Sequence, residues 1–142
     1  RMIEGMSKVA ADPAFGSIWE CYAPEDQRPA TTEDGGLVRS EFVGWGGLAP
    51  ITMLIENIIG LEFDARSNTV TFNLDGRERC GLENMVFNGN NISVVCTEYQ
   101  SFRAKTVIET EAEKPFRLKV VTKYLWEPVT FDVPAGKAVF RV

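Results

Sequence analysis

The chain contains no histidine. That absence removes Ser-His-Asp and Cys-His catalysis from within it, and with them any His-containing metal site. No run of about 18 apolar residues occurs, so no membrane-spanning helix is expected. Cysteine is sparse, at Cys21, Cys80 and Cys96. The three are far apart and odd in number, and they match neither a zinc pattern nor a CxxC redox pair. Cys96 falls on an alternating segment and reads as a small buried hydrophobe. Cys80 and Cys96 can pair only if their strands are neighbours. A basic-then-apolar leader is also missing. The chain opens Arg1-Met2, and a start at arginine suggests removal of something upstream. Compartment is not legible, although the periplasm or cytoplasm of a bacterium is the expected setting. Excess positive charge is absent too. A net charge of −5 argues against nucleic acid or an anionic membrane surface as the main partner.

What is present is the composition of a globular domain, 44% hydrophobic and 25% charged over 142 residues. The charge is unevenly placed. Residues 1–60 carry nine acids against four bases, whereas residues 61–142 carry eleven of each. The excess acid in the first part reads either as a solvated loop at 25–34 or as an acidic site for a neutral polar ligand.

The pattern changes near residue 60. Residues 1–11 place Met2, Met6, Val9 and Ala10 on one helical face, and Asp12-Pro13 ends that helix. Residues 17–22 are short and extended. Residues 23–40, with Pro24, Pro29, Gly35 and Gly36, read as a long loop. A second helix is expected over 48–59, with Pro50 in its first turn and Gly60 closing it. Leu48, Ile51, Leu54, Ile55, Ile58 and Ile59 leave it only a narrow polar stripe, so burial on most sides is expected. A chain of this size offers little to bury it against, which implies a partner. Beyond residue 61 the period becomes two: Val70, Phe72 and Leu74; Ile92, Val94 and Cys96; Phe116, Leu118 and Val120; Val129, Phe131 and Val133. About eight short strands at this spacing suggest an antiparallel β-sandwich. The expected class is mainly β with two or three helices.

One constellation carries chemistry. Trp19-Glu20-Cys21-Tyr22 sets a carboxylate between aromatics, and Phe42-Val43-Gly44-Trp45-Gly46-Gly47-Leu48 leads through a Gly-Trp-Gly turn into the apolar helix. Aromatic faces stack on the apolar faces of pyranose rings. A carboxylate can act as a general base or stabilise an oxocarbenium-like transition state. From the residues alone, the favoured reading is that Trp19, Tyr22 and Trp45 are core aromatics and Glu20 a capped or paired acid. Tyr124 and Trp126, one residue apart, share a sheet face if their segment is a strand. They read as cover for a hydrophobic seam or as a sugar-stacking platform.

The W-E-x-Y segment, the polar loop and the F-x-G-W-x-G-L segment before a helix containing I-E-N resemble the last part of a catalytic (α/α)6 barrel. The group includes trehalases, processing α-glucosidases and mannosylglycerate-hydrolase-like enzymes. The resemblance covers residues 1–60. It implies a domain boundary there, with 61–142 as a C-terminal β-sandwich behind the terminal segment of the barrel. It implies an inverting glycosidase in which Glu20 is the general base and Trp19, Tyr22 and Trp45 shape the sugar subsite. Arg28 and Arg39 would touch substrate hydroxyls. The substrate would be a disaccharide or oligosaccharide, no metal or organic cofactor would be required, and the rest of the barrel would be a partner from upstream. Cys21 stands where trehalases usually have lysine and the processing glucosidases asparagine, which argues against trehalose. Glu41 and Glu56 could line the sugar site, with helix-terminus or ion-pair roles the favoured reading. No residue matches the family's general acid, an Asp on an earlier barrel segment, so the isolated chain is expected to be inactive. Two other classes fit the same strands: a non-catalytic module binding carbohydrate or protein, and a structural domain dimerising through the 48–59 helix.

Overall fold

The computed structural model describes residues 2–15, 17–38, 44–74, 79–98 and 105–142. The chain divides into two compact units, Arg1–Leu54 and Ile55–Val142. The first holds helix α1 (Met2–Ala11) and helix α2 (Gly44–Thr52). Asp12 ends α1 as its sequence suggests. Its backbone N–H donates to Lys8 and Val9 carbonyls, and its carboxylate accepts from the Ala14 N–H at 2.9 Å. That bond closes a turn at the position where Pro13 forbids further helix.

The second helix departs from expectation in two ways. It begins at Gly44, so Pro50 lies inside it rather than in its first turn. Proline cannot donate to the carbonyl four residues back, and three residues later the backbone passes into a π-helical run, Met53–Ile59. The wider turn is closed by the Gly60 N–H, which donates five residues back to Ile55 at 2.9 Å. Burial on most sides is not found either. Leu48, Ile51, Met53, Leu54 and Ile58 are exposed, Leu48 and Ile58 at 61% each.

The second unit is mainly β. Its eight strands are β1 (Leu61–Asp64), β2 (Thr69–Leu74), β3 (Cys80–Phe87), β4 (Asn90–Glu98), β5 (Val107–Ala112), β6 (Phe116–Thr122), β7 (Val129–Val133) and β8 (Gly136–Arg141). They form two four-stranded sheets, ordered β1-β2-β6-β7 and β3-β4-β5-β8. Alternation puts Val70, Phe72, Leu74, Leu118 and Val120 of one sheet into a core shared with Ile92, Val94, Cys96 and Ile108 of the other. This is the layering of a β-sandwich. The sheets are not wholly antiparallel. β2 and β6 pair in parallel, from Thr69 opposite Arg117 to Leu74 opposite Thr122. Parallel neighbours need a long crossover, and here the chain supplies it by running through β3, β4 and β5 of the other sheet before returning.

β3 carries a bulge between Leu82 and Met85, where Asn84 adopts a positive φ of 55°. Gly60 carries the sharpest backbone demand. It has φ +89° and its carbonyl accepts from the Asn73 N–H at 2.7 Å. A Cβ at this position would lie 2.1 Å from the Asn73 carbonyl oxygen. Gly60→Ala is therefore expected to cost about 2–4 kcal/mol in urea unfolding. Gly89→Ala, at φ +66° with nothing within 4 Å, is expected to cost only about 1 kcal/mol. Equal losses at the two positions would contradict the close approach.

Candidate functional site

The candidate site lies in the first unit and is built by a segment that folds back on itself. The Cys21 carbonyl accepts from the Ala30 N–H, and the Arg28 carbonyl accepts from the Ala23 N–H, both at 3.0 Å. These bonds bring Tyr22 opposite Pro29 as an isolated antiparallel bridge. Pro24, Glu25, Asp26 and Gln27 form the intervening turn. A second bridge sets Thr31 against Leu37. Its turn is closed by the Thr32 N–H donating to the Gly36 carbonyl at 2.8 Å, with Gly35 at φ +85°. The segment read as a long loop is thus two tight, hydrogen-bonded turns in sequence.

Tyr22 is held by a further bond. The Trp19 backbone N–H donates to its phenolic oxygen at 2.9 Å. The oxygen is used as an acceptor there, which leaves its own proton available to donate elsewhere. Glu20, half-buried, and Tyr22 line one cleft of about 580 Å³, with Met6, Asp26, Gln27 and Pro50 among its other walls. That volume lies within the range of small-molecule sites. The walls combine apolar surface with two carboxylates, a phenol and an amide, as a polar ligand with apolar faces requires.

The expected site residues separate. Glu20 and Tyr22 share the cleft. Trp19 does not line it. It is 6% exposed, so neither face of its ring can stack on a sugar, and its role is packing. Its indole N–H is buried with no hydrogen-bond partner among the described residues. Arg28 does not line the cleft either. It is exposed, and its guanidinium donates to Asp26 at 3.1 Å, to the Thr31 hydroxyl at 3.3 Å and to the Pro29 carbonyl at 3.4 Å. It holds the turn together, leaving substrate contact to others. Arg39, Glu41 and the side chain of Trp45 lie outside the described residues, while Glu56 is exposed on the π-helical run. Sequence reasoning missed Met6 as a wall of the cleft; it reached Asp26 and Gln27 only as part of an acidic loop bordering the site, without singling them out. The turn at 24–27 is a signal for Asp26 and Gln27, because a tight turn after Tyr22 returns the chain past the same cleft.

Elsewhere, a concavity of about 330 Å³ lies on the β3-β4-β5-β8 sheet, lined by Arg79, Glu83, Glu109, Glu111 and Lys137. Its charges are partly matched, Arg79 to Glu83 at 2.7 Å and Lys137 to Glu111 at 3.7 Å, and it has no aromatic wall. Tyr124 and Trp126 fall on the connection between β6 and β7 rather than on a strand. Trp126 is fully exposed at 103%. Among the described residues no group of three or more His, Cys, Asp or Glu could hold a metal ion. No described helix is long and apolar enough to cross a membrane.

No family model matches the chain, and no solved structure does. A protein of Borreliella burgdorferi, described as uncharacterized, is 28% identical over 126 residues. The match takes in 86% of this chain and 25% of that protein, so the chain corresponds to about a quarter of the relative's length.

The second turn makes a pH prediction. The Thr32 hydroxyl, and then the backbone N–H groups of Asp34 and Gly36, hold the Asp34 carboxyl below its ordinary value of 3.8. A lowered carboxyl stabilises the turn above the ordinary Asp range, and the effect is lost as pH falls through the lowered value. Amide-exchange protection at Gly35, whose N–H donates to the Thr32 carbonyl, should therefore fall on acidification below pH about 4. Asp34→Asn should remove that acid dependence, and an unchanged pH profile in the variant would contradict this.

Proposed function

We propose that this chain is the terminal part of an inverting glycoside hydrolase in which Glu20 is the general base. The observation that carries the reading is Glu20, half-buried with one carboxylate oxygen fully buried, among the residues lining a cleft of about 580 Å³, beside a tyrosine fixed by the Trp19 N–H. In the reaction, Glu20 takes a proton from a water attacking the anomeric carbon. The glycosidic C–O bond breaks on the opposite face, and a second carboxylic acid protonates the departing oxygen. The two carboxyl groups must stand about 6.5–9.5 Å apart to leave room for that water. Asp26 borders the same cleft, but Arg28 occupies its carboxylate. The proton donor is therefore assigned to polypeptide outside this chain.

The exposed apolar side chains of Leu48, Ile51, Met53 and Leu54 support the same reading. They suit a helix that docks into further barrel helices, and a relative of which the match takes in only 25% leaves room for such a segment. The substrate is a disaccharide or oligosaccharide. Tyr22 and Gln27 face it from the cleft wall, and Arg28 keeps the 24–27 turn in place. Arg39 and Trp45 keep their roles from the family resemblance.

A second reading is favoured by one observation. Trp126 is fully exposed and Tyr124 is 45% exposed on the same short connection, a natural platform for a sugar ring. A β-sandwich of this kind can bind carbohydrate without chemistry.

Glu20→Gln in the full-length encoded protein is expected to lower kcat by about 10²–10⁴-fold with little change in KM, on a panel of α-linked glucose and mannose disaccharides. The isolated chain is expected to hydrolyse none of them. Undiminished turnover in the variant would contradict the assignment. Glycan binding that Trp126→Ala abolishes and Glu20→Gln leaves intact, without hydrolysis by the full-length protein, would favour the binding module.

A further inference from the structure

We propose that Cys80 and Cys96 form a latent cross-strand disulfide, a reversible oxidation site in the β3–β4 ladder. The register places the two residues directly opposite one another. Opposed residues on antiparallel strands carry their side chains on the same face, with Cα atoms about 4.5–5.5 Å apart. A disulfide requires a Cα separation of about 4.4–6.8 Å, so the bond can close without moving either strand. Both thiols are free. Cys96 is part of the buried core, and Cys80 lies half-buried against that core. Cys21 belongs to the other compact unit. The site is independent of the glycosidase reading, since neither cysteine lines the Glu20 cleft.

The oxidant is a low-molecular-weight disulfide such as glutathione disulfide. The more accessible Cys80 thiolate attacks one of its sulfurs, giving a mixed disulfide and releasing one glutathione thiolate. Cys96 then loses its proton and attacks the Cys80 sulfur, and the second glutathione leaves. Two protein thiols are oxidised by two electrons, and one reagent disulfide is reduced to two thiols. Burial pushes both protein thiols up, Cys96 to about 11 with the neighbouring Cys80 as a second cause. Thiols raised in this way react slowly near neutrality, so the pair stays reduced unless an oxidant is sustained.

Closure would lock the bulge at Leu82–Met85 and the Asn88-Gly89 turn inside one covalent loop. Cross-linking a loop of about 15 residues restricts the unfolded chain, and a rise of about 10 °C in Tm is expected. To test this, the folded full chain is incubated with glutathione disulfide, remaining thiols are alkylated, and the protein is digested without reduction. The expected result is one linked peptide pair containing Cys80 and Cys96, with a raised Tm that dithiothreitol reverses. Cys21→Ser should give the same linked pair, and Cys80→Ser should give none. Full alkylation of Cys80 and Cys96 after oxidation, a glutathione adduct at Cys80 that never resolves, or linkage of either one to Cys21 would overturn the proposal.

Discussion

Everything at the candidate site depends on the chain turning back between Tyr22 and Pro29. Two backbone hydrogen bonds, from Ala23 and Ala30, fix that reversal. A third, from the Trp19 N–H to the Tyr22 phenol, fixes the aromatic ring against it. Without the reversal, Asp26 and Gln27 would not stand on the same wall as Glu20. The buried Trp19 ring anchors the residue next to Glu20, so the carboxylate is placed by packing on one side and by backbone pairing on the other. Arg28 contributes from outside, linking Asp26 to Thr31 across the bridge.

The second unit rests on a different constraint, the burial of two rows of alternating apolar side chains in one core. At about 25 cal/mol per Å² of apolar surface, such rows outweigh any single surface ion pair, each worth about 0–1 kcal/mol. The exposed pairs Arg79–Glu83 and Lys137–Glu111 therefore decorate this fold rather than hold it. The same burial pushes the Cys96 thiol up, and the ladder that carries it also brings Cys80 opposite.

How far the sequence could be read follows from these two constraints. β2, β4, β6 and β7 were legible because strict alternation belongs to one strand at a time. β3 was not, because Gly81, the bulge and the positive φ of Asn84 break its alternation. The parallel β2–β6 pairing was not legible either, since a strand's own pattern does not name its neighbour. A helix starting at Leu48 would hold Pro50 in its first turn, whereas the helix starts at Gly44. The preceding Gly44-Trp45-Gly46-Gly47 looked like a turn, yet it is helical. At the site, the acid between aromatics was visible, but period alone could not say that Trp19 faces inward while Tyr22 faces the cleft. Cys80 and Cys96 show the same limit, because only the register makes them a pair.

The chemistry assigned to Glu20 requires that water attack from the face opposite the leaving group. The most direct measurement is the anomeric configuration of the first-formed sugar, followed by proton NMR while the full-length encoded protein cleaves a disaccharide of known configuration. An inverted anomer, appearing before mutarotation, is the expected result. A retained anomer would mean a covalent intermediate and carboxyl groups only about 5–5.5 Å apart, and it would contradict a water-activating Glu20.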